Sequence, residues 1–178
     1  LSNVNNSEVH LEAIFNINKY TVTFMDQNSV YEIKENINHG NAVSAPEENP
    51  SKAHNHFVGW KINGEENLYD FDTPVTSNLI LVSVYEEIEM PIIIATPTEW
   101  TKDSVTVTME NSHNYDMRIK VGTNNYVDYT TPVEVTENLE VRGKSIVGAE
   151  ESNEATKTID NIDKESPTIE NEIEKDAS

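Results

Sequence analysis

Cysteine is absent from this chain of 178 residues, which removes both a disulfide framework and any thiolate metal site. Arginine is nearly absent. Only Arg118 and Arg142 occur, within 12 basic residues set against 32 acidic ones. The resulting net charge of −20 excludes nucleic acid and anionic membrane surfaces as main partners, because neutralising phosphates takes clustered Lys and Arg. It permits cations and favours solubility through self-repulsion. No apolar run approaches the roughly 18 residues of a membrane-crossing helix, so no membrane insertion is expected. The opening Leu1-Ser2-Asn3-Val4 lacks the basic start and apolar core of a signal peptide. Neither a lipid-attachment cysteine nor a wall-sorting motif occurs, so an exported protein would be read here as a piece of something longer. Hydrolase and nucleotide signatures are missing too: there is no GxSxG, no HExxH, no P-loop and no Cys–His pair.

What the chain does have is short alternating apolar segments, punctuated by turns. The centre of the first half is His54-Asn55-His56-Phe57-Val58-Gly59-Trp60. Strand geometry puts Phe57 and Gly59 on one face and Val58 and Trp60 on the other. A glycine within a strand marks a bulge or a close backbone approach, and Gly59 is read that way. Before this stretch, Tyr20, Val22 and Phe24 form one face of a strand. Asp26-Gln27-Asn28-Ser29 has turn chemistry, and Tyr31, Ile33 and Glu35 alternate with Glu32 and Lys34. Asn38-His39-Gly40-Asn41 and Asn63-Gly64 are further turns. A short helical turn fits residues 51–55, after Pro50, where a full helix would not.

Three elements, Tyr20-Thr21-Val22-Thr23-Phe24, Phe57-Val58-Gly59-Trp60 and Tyr69-Asp70-Phe71-Asp72-Thr73-Pro74-Val75-Thr76, appear in that order before a strand ending at Tyr85. Together they resemble the Listeria–Bacteroides repeat, also called the internalin B-repeat, over about residues 19–86. The resemblance implies a small β-grasp (ubiquitin-like) fold with a shortened helix, and a place on the bacterial surface. Two positions depart from the family pattern: Asp26-Gln27-Asn28-Ser29 replaces an Asp-Gly-Gly-type turn, and Tyr85 replaces a closing Trp. Upstream, Val9, Leu11, Ala13 and Phe15 echo Leu79, Leu81, Ser83 and Tyr85 at an offset of 70 residues. Residues 1–18 are therefore read as the closing strand of an upstream repeat, in a tandem array. The first complete module is residues 19–87.

After the acidic join around Glu86, Glu87, Glu89 and Pro91, residues 88–163 carry seven or so short strands with turns at regular spacing, the pattern of a β-sandwich. The segments are residues 92–95, 105–109, 117–121, 126–129, 132–135, 139–142 with 146–147, and 155–159. Trp100 is expected at the edge of their core. Pro97-Thr98-Glu99-Trp100-Thr101, Val105-Thr106-Val107-Thr108, Tyr129-Thr130-Thr131-Pro132-Val133 and Ala155-Thr156-Lys157-Thr158-Ile159 resemble an immunoglobulin-like repeat of large bacterial surface proteins. The family's Tyr-Ala-Arg-Ala-type strand reads Glu140-Val141-Arg142-Gly143-Lys144 here. Residues 164–178 form an acidic tail or the start of a next module at Pro167-Thr168-Ile169.

Candidate chemistry is sparse. His54 and His56, at i and i+2, would point the same way on a strand near His39 and suit a transition metal, but no third ligand has fixed spacing and exposed loop histidines are commoner. Asp70, Asp72, Asp160, Asp163 and the Glu86/Glu87/Glu89 run offer oxygens for calcium, but no DxDxDG loop is present and solvated acidic surface is the plainer reading. Some surface immunoglobulin-like domains join a buried Lys to Asn or Asp covalently, and Lys120, Lys144 and Lys157 are the lysines to test for it. Tyr126 and Tyr129 suit either a sugar or protein contact or an ordinary core position.

The fold expected is mainly β: a small β-grasp repeat followed by an immunoglobulin-like β-sandwich. No catalytic, cofactor-binding or metal residues and no cofactors are expected. The function expected is a non-enzymatic module pair of an extracellular protein on the bacterial cell surface or cell wall, serving as stalk or spacer and in cell adhesion. Its partners would be a host or neighbouring-cell protein or glycan, engaged by a monomeric fragment. The alternatives are that the modules are themselves the ligand-binding adhesin surface, or accessory domains of a secreted glycan-degrading enzyme.

Overall fold

The computed structural model of the protein describes residues 12–14 and 16–165. Twelve β-strands and no helix occur among the described residues. The chain divides into two compact units. One holds the residues up to Pro50 together with Phe57–Val84, and the other holds Ser51–His56 and the residues from Tyr85 onward.

The first unit is built on one mixed sheet, in the order β2-β1-β4-β3. Strands β1 (Lys19–Asp26) and β2 (Ser29–Asn38) form a hairpin. Its two-residue turn puts Gln27 and Asn28 at φ 46° and 70°, the left-handed pair that matches the twist of the flanking strands. Strand β4 (Leu79–Glu87) lies parallel to β1, with Val22 opposite Leu79 and Phe24 opposite Leu81. The core is the face carrying Val22, Phe24 and Leu81, closed by Val43, Val75 and Trp60. The neighbours of β1 put Glu32 opposite Phe24 and Lys34 opposite Val22, so the charged residues of β2 share the core side. The Lys34 stem lies along that side, with Nζ 5.9 Å from the Phe24 ring and hydrogen-bonded to Ser44 Oγ and Ala45 O. Ile33 and Ile80 share the opposite face through Thr23, and both are about half exposed.

Strand β3 (Asn55–Ile62) differs from simple alternation. Phe57, Trp60 and Ile62 all pack on the core, so the inward parity changes between Phe57 and Trp60. Gly59 sits at the change with φ 156°, a conformation that suits glycine. A side chain there would stand 3.3 Å from Leu68 Cδ2, so the close approach expected at Gly59 is made by Leu68. Residues 51–55 form no helical turn. Lys52 and Asn55 bridge around a tight turn, with His54 at φ 62° and Asn55 Nδ2 donating to Ala53 O.

The second unit has two sheets. The smaller has the order β5 (Ile92–Thr96), β6 (Val105–Glu110), β9 (Val133–Val135). The larger joins β7 (Asp116–Val121), β8 (Val127–Asp128), β10 (Leu139–Val147), β11 (Glu150–Glu151) and β12 (Ala155–Ile159). Inward residues of both sheets make one core: Val105, Val107, Met109 and Val135 from one, Ile119, Val141 and Ile159 from the other. The segments expected at 139–142 and 146–147 are one continuous strand. Gly143 faces inward where the sheets approach: a Cβ there would stand 2.6 Å from Met109 Sδ and 3.1 Å from Pro91 Cγ.

Of the strand expected in residues 1–18, positions 12–14 and 16–18 form no regular element, and the rest lies outside the described residues. Beyond residue 165 the reading of a tail or next module likewise falls outside them.

Candidate functional site

The larger sheet of the second unit gathers charge on its outer face. Alternation turns Val141, Gly143 and Ser145 inward and leaves Glu140, Arg142 and Lys144 outward. Register then sets Lys144 opposite Arg118 and Arg142 opposite Lys120. Both arginines of the chain and two of its lysines therefore form a square on two adjacent strands. Acids surround the square. Lys144 Nζ is 2.9 Å from Glu151 Oε2, and Arg118 meets Asp128 at 3.2 Å and Glu151 at 3.5 Å. Arg142 bridges Glu140 and Glu154. Tyr126 joins the network: its hydroxyl donates to Glu154 Oε2, and Lys144 Nζ lies 5.1 Å above its ring.

The titrations follow from these contacts. The Glu151 carboxyl lies below its ordinary value, first through the Lys144 hydrogen bond and then through the positive charges of Lys144 and Arg118. Burial and then the bond to Glu154 hold the Tyr126 phenol well above the ordinary range. The Arg142 guanidinium is raised, chiefly by Glu140. A self-neutralised network of this kind orients its side chains and offers alternating donors and acceptors to a polar partner. Beside it, a pocket of about 400 Å³ is open to solvent between β7, β8 and the end of β10, with Arg118, Asp116, Asp128 and Tyr129 among its walls.

The candidate residues read from sequence separate into distinct roles. His39 Nδ1 lies 3.3 Å from the Tyr20 hydroxyl. Within the second unit, His54 Nδ1 lies 3.2 Å from Glu151 O and His56 Nε2 lies 3.5 Å from Glu86 Oε2. Among the described residues no three His, Asp or Glu side chains converge as metal ligands. Asp70 and Asp163 accept backbone N–H bonds from Asp72 and Glu165, the usual work of Asp in turns. Glu89 bonds Ser112 and meets His113 at 3.4 Å. Of the three lysines considered for a covalent cross-link, Lys144 is held by a carboxylate and Lys157 is exposed on β12. The two tyrosines part company. Tyr129 packs on the core and its hydroxyl accepts from Met109 N, whereas Tyr126 belongs to the outer charged face. Trp100 is not at the core edge, because it is 72% exposed.

The aromatics of the first unit form one cluster. The Trp60 ring meets Phe24 at 5.0 Å, Phe57 at 5.5 Å and Tyr31 at 5.8 Å, while Phe71 stacks on Phe24 at 6.3 Å and takes Tyr69 edge-on at 5.1 Å. The three sequence elements set out above thus meet at one point. Residues 20–84 match the Listeria-Bacteroides repeat domain. This repeat is a non-catalytic module found in bacterial surface proteins. The match spans the four-stranded sheet and its loops, and the aromatic positions of the three elements pack in or against one core. No curated protein and no solved structure matches the chain. Among the described residues no helix is long and apolar enough to cross a membrane.

Proposed function

We propose that this chain is a non-enzymatic module pair of a bacterial cell-surface protein: a β-grasp repeat followed by an immunoglobulin-like sandwich, exposed outside the cell as a spacer that also takes part in adhesion. The observation that carries the reading is the repeat match over residues 20–84. The parallel pairing of β1 with β4 beside the β1–β2 hairpin supports the β-grasp assignment. Two sheets sharing one core, with the Tyr129 hydroxyl tied to the backbone of β6, support the sandwich. The adhesive part of the reading draws on the outer face of the larger sheet, where Arg118, Arg142 and Lys144 stand oriented in an otherwise acidic protein.

Binding of the labelled chain to host cells, matrix proteins and a glycan panel, with calcium and then with chelator, tests it. Saturable binding that survives chelation is expected, because among the described residues no three acidic or histidine side chains converge as metal ligands. A well-folded sample that binds nothing removes adhesion and leaves the spacer role alone. Binding lost with chelator would instead make the acidic residues a calcium site.

A further inference from the structure

The two tryptophans have opposite fates. Trp60 is 2% exposed at the centre of the first unit's core, and Trp100 is 72% exposed. An indole left in water contributes little to folding and is free to meet a partner with its ring face, while its N–H can bond a polar one. That backbone is held on both sides. Asn161 Nδ2 donates to Pro97 O at 2.9 Å and to Glu99 O at 2.8 Å, and Asn161 O accepts from Thr101 N. Thr101 O in turn accepts from Asp163 N, and Thr101 Oγ1 accepts from Asp103 N. The residues either side of Trp100 are thus pinned to the segment after β12. Little backbone order would be lost on contact with a ligand.

The same loop forms one wall of a small groove of about 110 Å³. Thr98 lines it from the loop, and Lys157, Thr158, Asp160 and Asn161 line it from β12 and the residues after. Ala95, Pro97 and Ile159 complete the lining, so hydroxyl, ammonium and carboxylate groups stand beside apolar ones along a groove bordered by the loop that presents the indole. We propose that this loop and groove form a contact site for a neutral glycan, with the Trp100 ring taking the C–H face of a sugar and the groove taking the hydroxyls of its edge. The class follows from the chemistry. A net charge of −20 opposes polyanions, the groove is too small to enclose an apolar ligand, and an uncharged polyol has both an apolar face and a donor–acceptor edge. The proposal rests on the surface reading above, since it needs the chain to meet glycans outside the cell.

Because Trp60 is buried, acrylamide quenching of the whole chain reports Trp100 selectively. Neutral oligosaccharides that score on an array of uncharged glycans are titrated in, with quenching and emission wavelength followed. A saturable loss of quenching and a blue shift are expected. Trp100→Ala should weaken binding at least tenfold without changing the unfolding midpoint. Trp100→Tyr should retain part of the affinity, and Asp160→Asn should lose several-fold. No protection by any neutral glycan at millimolar concentration overturns the site, as does glycan binding that Trp100→Ala leaves intact. A Trp100-dependent contact with protein ligands alone also overturns it. Cell binding that persists in Trp100→Ala would refute this site and leave the surface function standing, which keeps the two failures apart.

Discussion

Trp60 is central to the first unit's core, since three aromatic rings contact it and almost none of its surface reaches water. Trp60→Ala should therefore cost about 3–5 kcal/mol and leave that unit at the margin of folding, read by chemical denaturation. Gly143 is the corresponding point in the second unit. Gly143→Ala forces a methyl against Met109 Sδ and Pro91, and the Met109 side chain or the sheets must shift to admit it. A loss of about 1–3 kcal/mol is expected from the packing clash, whereas the same change at Gly148 meets open space and costs about 1 kcal/mol through its left-handed backbone alone. Acid weakens the fold at Glu151. Its folded value lies below the ordinary 4.5, so the unfolded chain takes up the proton first as pH falls. The contribution is full above 4.5 and is lost as pH drops through the lower folded value. It is small, because the side chain is more than a third exposed. Glu151→Gln should flatten the acid limb of stability against pH, and an unchanged acid limb would show that the Lys144 pair does not matter.

Strands were legible wherever one face meets a core. Val22 and Phe24 in β1, Val105 and Val107 in β6, and Ile119 in β7 sit inward at the spacing their alternation predicts. Elements whose place depends on distant partners were not. Strand β11 is two residues long and exists because Glu151 finds Ile146. Strand β10 looked like two pieces because Gly143-Lys144 interrupts its apolar pattern, yet Gly143 is the residue that lets the sheets approach. The parity change at Gly59 and the exposure of Trp100 also escape local patterning. One depends on Leu68 and the other on hydrogen bonds from Asn161, far along the chain. The charged face was half legible: alternation gives Glu140, Arg142 and Lys144 a common side, but only register brings Arg118 to Lys144. The β1–β2 turn offers a test at this scale. Gln27 and Asn28 both hold left-handed backbone, which costs ordinary residues about 1 kcal/mol each. Replacing the pair with Asn-Gly through Gln27→Asn and Asn28→Gly should raise stability by about 1 kcal/mol, measured as a higher denaturation midpoint at unchanged slope.

Taken whole, the molecule is two small β units, each with its own apolar core, and a strongly acidic exterior. Domains of this size bury a modest share of their surface, near 60%, and keep little stability in reserve. Self-repulsion at a net charge of −20 works against them further, and screening by added salt offsets it. The chemistry gathered on the surface of the second unit is hydrogen bonding and ion pairing. The repeat matched over residues 20–84 occurs in bacterial surface proteins. The most direct measurement of the proposed surface role is labelling of intact source cells with an antibody against this chain, paired with brief protease treatment from outside. The account predicts that unbroken cells are labelled and that protease removes the label. Labelling that appears only after the cells are made permeable would contradict it.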